Sequence, residues 1–348
     1  MPATEERTHA IGEPRRSEYV YRFLSPPTSG FVATTIVTRA PTRIDFGGGW
    51  TDVPPYSDEV GGFVCNVAIA RYATVSLSRG DAESASHLAS NGDRAIITAA
   101  ARRFRMNDVR VSVTSDFPIG AGLGGSSAVG VATVAAFAAL RGQNMNPSAI
   151  AELSRDIEIG DVGIPGGRQD HYAAAYGGAL GLRFSANGVD VRSIPLSEKV
   201  RAEIERRCII IYTGQSRVSG ETITAVMRAY TEKEPRVLNA LNRMREIAEE
   251  MANTLSRGAF DRLAQLVTEQ WMHQRALHST IPTLLIDDII ARAAAAGSVG
   301  AKALGASGGG CVLIMSRADR VDAVRKSIES LGEVLPFTIA RHGVERCE

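Results

Sequence analysis

A glycine-rich loop between a predicted strand and an apolar helix constrains the fold of this chain more than any other feature. Residues 109–114 alternate between apolar and polar side chains, which predicts a half-buried strand. The loop Pro118-Ile-Gly-Ala-Gly-Leu-Gly-Gly-Ser-Ser-Ala128 follows, and residues 128–140 then predict a buried helix. Glycine lets the backbone approach an anion closely, and the N-terminus of a helix attracts negative charge. The pattern therefore predicts a phosphate-binding loop, in which Ser126 and Ser127 offer hydroxyls to a phosphate-bound Mg²⁺.

Two other phosphate-binding fingerprints share this glycine spacing but need further residues. Gly120–Gly125 satisfies G-x-G-x-x-G, yet a dinucleotide site also needs a strand that ends in Asp or Glu about 20 residues later. Residues 143–150 instead predict a loop and a helix start, with Asn146 as the N-cap and Pro147 as the first helical residue. A Walker loop would need lysine where Ser126 stands. The sequence therefore disfavours a dehydrogenase and a Walker-type nucleotide hydrolase.

A later glycine cluster, residues 305–310, contains the G-x-S-x-G pattern of hydrolase nucleophile elbows, with Ser307 at its centre. That elbow requires a helix after the turn, whereas residues 311–315 are apolar and predict a strand. We therefore expect a turn that brings backbone close to a ligand, and not a serine hydrolase.

The overall pattern predicts an α+β protein of two domains. A chain of 348 residues can build two substantial cores. Strands and helices mix before residue 205, and after it the chain is rich in helices. Amphipathic helices are predicted over residues 218–231, 235–256, 258–278 and 283–297. We predict a flexible tail at residues 1–33, one domain at 34–205 and a second at 206–348.

Composition points away from several classes of partner. The net charge of +1 does not favour nucleic acid or an anionic membrane as a partner. Four cysteines without a C-x-x-C pair argue against a disulfide framework or a zinc site. The longest apolar run is well short of the roughly 20 residues of a membrane span, and no signal peptide is recognisable. A cytoplasmic protein, monomeric or homodimeric, is expected.

Three segments together resemble the motifs of the GHMP kinases, the family of galactokinase, homoserine kinase, mevalonate kinase and phosphomevalonate kinase. They are Ala40-Pro-Thr-Arg-Ile-Asp-Phe-Gly-Gly-Gly-Trp-Thr-Asp52, the loop 118–128, and Lys302-Ala-Leu-Gly-Ala-Ser-Gly-Gly-Gly-Cys-Val-Leu-Ile314. The resemblance implies an N-terminal domain like ribosomal protein S5 domain 2 and a ferredoxin-like C-terminal domain, with the third motif packed beside the other two. It also implies a phosphotransferase that uses ATP and Mg²⁺ and acts on an alcohol group.

The resemblance assigns a nucleotide site and a metal site. The residues expected to hold the nucleotide are Pro118, Gly120, Gly122, Leu123, Gly124, Gly125, Ser126, Ser127, Gly308 and Gly309. The expected metal ligands are Ser126 and Glu158. Asp156 and Asp161 are alternatives for the carboxylate, and Glu158 would otherwise be a solvated helix residue.

The catalytic pair implied by the resemblance is Asp170 and Arg43. Asp170 would take the proton of the acceptor hydroxyl, and a fixed cation at Arg43 would keep it ionised and stabilise the developing alkoxide. The alternative for Asp170 is a structural role as the cap of a helix that begins near His171.

Acceptor recognition is expected from the first motif and from two later segments. The expected residues are Asp52, Gly48, Gly49, Trp50, Gly167, Tyr212 and Arg217. Trp50 would stack on a sugar or pack in the core. Residues 48–62 resemble the D-glycero-D-manno-heptose 7-phosphate kinases and the L-fucokinases, which predicts transfer to the anomeric hydroxyl of a sugar or sugar phosphate. Heptose 7-phosphate is the first candidate; L-fucose or another sugar, a mevalonate-like acceptor, and a non-enzymatic ATP-binding sensor are the alternatives.

The chain departs from the family pattern at two places. Ser307 stands in the third motif where glycine is more usual, and Arg275 follows Trp271 where the sugar kinases often carry lysine. Arg217 and Arg275 are the candidates for a cationic pocket that would receive a substrate phosphate.

Overall fold

The computed structural model describes residues 17–22, 35–79, 91–106, 108–215 and 219–347. These residues form two antiparallel β-sheets with helices packed against them. The first sheet contains β1 (Ser17–Arg22), β2 (Ile36–Gly47), β3 (Gly62–Arg79), β4 (Val109–Ser115), β5 (Ala179–Ser185), β6 (Gly188–Ile194) and β11 (Glu345–Cys347). The second sheet contains β7 (Cys208–Tyr212), β8 (Ser298–Ala303), β9 (Cys311–Ser316) and β10 (Glu333–Leu335). The predicted α+β class is confirmed.

The first sheet has the order β1-β4-β3-β2-β11, and β3 also pairs with β5, which pairs with β6. Its helices are α1 (Tyr56–Glu59), α2 (Asn91–Arg103), α3 (Gly125–Leu140), α4 (Pro147–Arg155), a π-helix (Asp156–Asp161), α5 (Gln169–Tyr176) and α6 (Glu198–Arg207). Helix α3 contacts β2 and β3, and its alanine and valine side chains are almost all buried. This packing fixes the N-terminus of α3, and therefore the glycine loop before it, against the sheet.

The second sheet has the order β10-β7-β9-β8. The helices of this half are α7 (Ser219–Thr231), α8 (Pro235–Ser256), α9 (Phe260–Leu277), α10 (Leu284–Ala296) and α11 (Val321–Ile328). The four predicted amphipathic helices are confirmed within two residues at each end, because their apolar spacing is a local signal. Helices α8 and α9 also contact β2, so the two halves share a continuous core.

Several local predictions hold in detail. The predicted strand at 109–114 is β4, and the predicted buried helix lies within α3. The side chain of Asn146 accepts a hydrogen bond from the Ala149 N–H at 2.8 Å, and Pro147 is the first residue of α4. This is the predicted N-cap.

The chain termini differ from the prediction. Residues 17–22 form β1, which pairs with β4 from Ser17 opposite Ser115 to Arg22 opposite Arg110, so the prediction of a flexible tail is wrong for them. Residues 1–16 and 23–34 lie outside the described part of the chain. Near the other end, β11 returns to the first sheet and pairs with β2. Strand β11 thus belongs to the first sheet although it lies within the predicted second domain, 206–348, and the domain limits stay predictions.

No helix within the described ranges is long and apolar enough to cross a membrane.

Candidate active site

The glycine loop has backbone angles that only glycine adopts easily. Gly120, Gly122 and Gly124 have φ values of 70°, 73° and 77°, and α3 begins at the next residue, Gly125. The loop borders a cleft of about 490 Å³. The first N–H groups of α3 therefore face a space large enough for a ligand, as the sequence predicts for a phosphate loop.

The third glycine cluster, residues 305–310, packs against this loop so closely that side chains would not fit between the two segments. A Cβ built on Gly122 would lie 2.7 Å from the Leu304 carbonyl oxygen, and one on Gly305 would lie 2.9 Å from the Cα of Gly122. The N–H of Cys311 donates to the carbonyl oxygen of Ala121 at 2.8 Å. The expectation that the third motif packs beside the phosphate loop is confirmed.

The part of the third cluster that reaches the cleft differs from the prediction. Gly305 and Ala306 line the cleft, whereas Gly308 and Gly309 do not. The N–H of Gly308 donates to the Ile281 carbonyl oxygen at 2.9 Å, and a Cβ on Gly309 would meet the Gln215 carbonyl oxygen at 2.6 Å. These two glycines shape the turn, and their predicted contact with the nucleotide is not supported by their position.

Arg43 and Asp170 form a two-pronged ion pair at the end of the loop. Arg43 donates from Nε to Asp170 Oδ1 at 2.7 Å and from Nη2 to Oδ2 at 2.9 Å. Its Nη1 donates to the Gly122 carbonyl oxygen at 2.6 Å. A Cβ on Gly124 would lie 3.0 Å from Asp170 Cγ, so the carboxylate occupies the space beside the loop that a side chain would need. Helix α5 begins at Gln169 and its first turn has no side-chain cap, so the capping alternative for Asp170 is not supported.

Glu158 lies on the π-helix and turns its carboxylate toward the same loop. Oε1 accepts a hydrogen bond from Ser126 at 2.6 Å, and Oε2 accepts one from Ser127 at 3.0 Å. His171 Nε2 lies 3.1 Å from Oε2, and its Nδ1 lies 3.0 Å from the hydroxyl of Ser154. Burial alone would raise the pKa of Glu158, but hydrogen bonds from His171, Ser126 and Ser127 bring it below its ordinary value. The carboxylate is therefore held ionised beside the serines.

The two alternative carboxylates face elsewhere. Asp161 pairs with Arg103 at 2.6 Å, and the half-exposed Asp156 pairs with its neighbour Arg155 at 3.2 Å. Neither lines the cleft, whereas Glu158 does. The π-helix has i to i+5 hydrogen bonds, so this turn contains one more residue than a turn of α-helix. Single π-helical turns of this kind are frequent at functional sites.

The serine and glutamate oxygens fit a magnesium ion. Mg²⁺ is usually held by one or two carboxylates together with substrate phosphates. Within the described ranges no three His, Cys, Asp or Glu side chains converge as a complete metal site. A cation beside Ser126 and Glu158 would thus depend on phosphate oxygens for its other ligands.

The cleft is also lined by a deeply buried carboxylate, Asp52. Its Oδ2 accepts a hydrogen bond from the Gln169 N–H at 2.9 Å. Burial raises the pKa of Asp52 to about 6; the Gln169 N–H opposes this rise, and the nearby Asp170 and Asp45 add to it. A Cβ on Gly167 would lie 1.9 Å from Asp52 Oδ2, so only glycine fits there.

The remaining predicted acceptor residues divide into two groups. Gly49, Trp50 and Gly167 line the cleft. Trp50 also packs in the second, smaller hydrophobic cluster, so its position fits both predicted roles, stacking on a sugar and packing in the core. Gly48 and Tyr212 do not line the cleft: a Cβ on Gly48 would lie 1.9 Å from the Phe63 carbonyl oxygen, so β3 fills that space.

Of the two candidate cations for a substrate phosphate, the structure describes only Arg275. Arg217 lies outside the described residues. Arg275 pairs with Asp287 at 3.1 Å and stacks over Trp271, and it is absent from the cleft lining.

Sequence reasoning missed a buried ion pair of which one member, Asp45, lines the cleft. Lys302 Nζ donates to the carbonyl oxygen of Asp45 at 2.9 Å and to its Oδ2 at 3.0 Å, and the lysine side chain is fully buried. Burial lowers the pKa of Lys302, and the charge of Asp45 opposes that shift. A signal was available, because Lys302 is one of only four lysines and lies in an apolar segment.

Comparison with known proteins identifies the family to which this chain belongs. The model of the GHMP kinases N terminal domain matches residues 94–178, and the model of the GHMP kinases C terminal region matches residues 240–334. A D-glycero-alpha-D-manno-heptose 7-phosphate kinase from Campylobacter jejuni is 28% identical over 338 residues, which cover 89% of this chain and 98% of the relative. A mevalonate kinase from Thermococcus sibiricus is 31% identical over 247 residues, which cover 69% of each chain.

Solved structures agree on the fold. The crystal structure of a D-glycero-D-manno-heptose 1-phosphate kinase from Bacteroides thetaiotaomicron superposes with a TM-score of 0.72 at 24% identity, covering 90% of this chain and 99% of that one. The fold and the relatives together define a phosphotransferase with a hydroxyl group as acceptor. This chain belongs to the GHMP kinases, a family of ATP-dependent kinases.

Proposed function

We propose that this kinase transfers the γ-phosphate of ATP to the anomeric hydroxyl of a sugar or sugar phosphate, with D-glycero-D-manno-heptose 7-phosphate as the first candidate. The observation that carries the proposal is the position of Asp170, which pairs with Arg43 beside the glycine loop in a cleft that Asp52 also lines. The Campylobacter jejuni relative, which the chain covers almost completely, motivates heptose 7-phosphate as the acceptor.

In the proposed reaction, the acceptor oxygen attacks the γ-phosphorus while the bond from that phosphorus to the β,γ-bridging oxygen breaks and ADP leaves. Asp170 accepts the hydroxyl proton, so the products are a sugar phosphate, ADP and a protonated carboxyl that returns its proton to solvent. Arg43 orients Asp170 through two hydrogen bonds and stabilises negative charge on the attacking oxygen. Since both prongs of the pair are already formed, no reorganisation of these side chains is needed.

The loop 118–128 would hold the triphosphate through its N–H groups and the N-terminus of α3. Ser126 and Glu158 would be the protein ligands of Mg²⁺, which when bound neutralises phosphate charge. Their hydrogen bond of 2.6 Å already brings the two oxygens together, and His171 keeps the glutamate oriented.

Asp52 would recognise an acceptor hydroxyl in the same cleft. A buried carboxylate there accepts hydrogen bonds from sugar hydroxyls and leaves an acceptor without them poorly bound, since its polar atoms would stay unpaired. Gly49 and Gly167 let the backbone pack against the carboxylates of Asp45 and Asp52, because a Cβ at either position would collide with them.

An acceptor panel tests the proposal. The purified protein would be incubated with Mg·ATP and heptose 7-phosphate, L-fucose, galactose, mannose or mevalonate, and ADP release would be followed with a coupled assay. We expect the highest kcat/KM with heptose 7-phosphate. Turnover of L-fucose in its place would keep the sugar 1-kinase and change the acceptor. Turnover of mevalonate alone would replace the sugar proposal with the mevalonate-like alternative, and no turnover with any acceptor would overturn it in favour of an ATP-binding sensor.

A further inference from the structure

The glycine turn of the third motif contains one residue in an unfavourable conformation. Ser307 has a φ of 65°, in the left-handed region that L-residues with a side chain adopt at an energetic cost. Its neighbours Gly305 and Gly308 have similar angles, 65° and 82°, at no such cost. Something in the surrounding structure must therefore hold Ser307 in place.

Gln274, on the buried side of α9, makes the contacts that can do so. Its side-chain amide nitrogen lies 3.1 Å from the hydroxyl oxygen of Ser307, 3.1 Å from the Gly305 carbonyl oxygen and 3.4 Å from that of Ala303. The two carbonyl acceptors require that the nitrogen, and not the oxygen, faces the turn. Gln274 is 1% exposed, and its Oε1 has no partner within the described structure.

A buried amide with an unpaired oxygen lowers stability in a core, so favourable contacts of the same side chain must offset that cost. An apolar side chain of the same length would fill this space without that penalty. The contacts to the turn are the compensation that the structure shows, since they reach both ends of the segment from Ala303 to Ser307.

The turn in question sets the position of the phosphate loop. Gly305 packs directly on Gly122, with no space for a Cβ on either residue, and Gly310 packs in the same way on the carbonyl oxygen of Ala121. A shift of Gly305 by a few tenths of an ångström would therefore move the loop that faces the cleft.

We propose that Gln274 is a positioning residue for the nucleotide: it fixes the 303–307 turn from α9 and, through Gly305, the geometry of the phosphate loop. Gln274 itself does not line the cleft. The inference rests on the proposed role of the loop 118–128 in binding ATP.

The test uses ADP binding, which needs no knowledge of the acceptor. Isothermal titration of Mg·ADP would be carried out on the wild type, Gln274→Leu, Ser307→Gly and the double variant. We expect a roughly tenfold higher Kd for Gln274→Leu, in keeping with the loss of a buried hydrogen-bonding group. Ser307→Gly should stay within about threefold of the wild type, because glycine adopts the same φ without support.

The double variant separates positioning from simple packing. With glycine at position 307 the turn no longer needs the amide to hold a strained residue, so we expect the double variant to recover most of the lost affinity. Gln265→Leu is the matched control, since it makes the same substitution on the exposed side of the same helix, and its Kd should equal that of the wild type. If Gln274→Leu fails to fold, Gln274→Met takes its place.

Two results would overturn the inference: a Kd for Gln274→Leu equal to that of the control, or an equal loss in the single and double variants, which would mean that the loss of affinity does not arise from the support of Ser307. Failure of the wild type to bind Mg·ADP would instead overturn the proposed function.

Discussion

At the scale of single residues, the Arg43–Asp170 pair leads to the most direct prediction about catalysis. Asp170→Asn keeps the shape of the side chain but removes the proton acceptor and the charge that Arg43 faces. General-base catalysis contributes about 10²–10⁴-fold, so kcat should fall by at least that range. The Kd of Mg·ADP should change by less than about threefold, because the loop backbone and Ser126 hold the phosphates in the proposed site.

The measurement is kcat with the best acceptor of the panel, together with ADP titration. Asp288→Asn is the control, because Asp288 is an exposed carboxylate that pairs with Arg292 on α10. Retention of more than a tenth of wild-type kcat in Asp170→Asn would mean that another group receives the proton.

A second residue-scale prediction concerns pH and the stability of the fold. The pKa of Asp52 is raised to about 6 by burial, above the ordinary value of 3.8. The unfolded chain therefore loses this proton at lower pH than the folded protein, and the contribution of Asp52 to stability falls as the pH rises through about 6. Since one pKa unit corresponds to about 1.4 kcal/mol, the loss is on the order of 2–3 kcal/mol at pH 8.

Asp52→Asn removes this unfavourable ionisation while keeping an oxygen for the Gln169 N–H. We expect the variant to be more stable than the wild type by roughly 2–3 kcal/mol at pH 8, and by well under 1 kcal/mol at pH 4. Denaturant unfolding at the two pH values measures this, and Asp288→Asn again serves as the reference. A stability gain that does not depend on pH would show that Asp52 does not ionise in this way.

At the scale of secondary-structure elements, local patterns predicted most of what is local. The strict alternation of β4, the alanine-rich run of α3 and the apolar spacing of α7 to α10 each occur within one segment, so they could be recognised from the sequence. The strands β1 and β11 were not predicted as parts of the first sheet, because their pairing with β4 and β2 joins residues far apart in the chain.

The candidate site shows the same division. Arg43 and Asp170, or Ser126 and Glu158, could be named from motifs, and the structure brings each pair into contact. The choice of Glu158 over its neighbours depends on the π-helix, whose extra residue leaves no simple periodicity in the sequence. The Lys302–Asp45 pair depends on how two distant strands pack.

At the scale of the whole molecule, the cleft is lined by residues of the first sheet and by the turn between β8 and β9 of the second sheet. Strand β2 of the first sheet carries Arg43 and Asp45, and the turn between β8 and β9 of the second sheet supports the phosphate loop. The distance between Arg43 and the phosphate loop therefore depends on a fixed orientation of the two sheets relative to each other. Helix α9 contacts both β2 and β8 and contributes to that relation through apolar packing.

The buried pair of Lys302 and Asp45 joins the same two strands, β8 and β2, by charge. Removing one member of a buried pair leaves the other charge without a partner in a medium that solvates it poorly, which typically destabilises a protein by about 3–5 kcal/mol. We therefore expect Lys302→Met to lower the free energy of unfolding by that amount. Combining it with Asp45→Asn should restore most of the loss, because the uncompensated carboxylate is then gone.

The measurement is urea unfolding of both variants beside Arg292→Met, which breaks the exposed pair with Asp288 and should cost less than about 1 kcal/mol. If Lys302→Met costs no more than this surface control, the buried pair does not stabilise the contact between the sheets. If the double variant recovers stability but binds Mg·ADP more weakly than the wild type, the pair aligns the third motif with β2 in addition to stabilising the fold. Binding that recovers together with stability would confine the pair to a structural role, because the apolar contacts of α9 would then suffice to keep the phosphate loop in place.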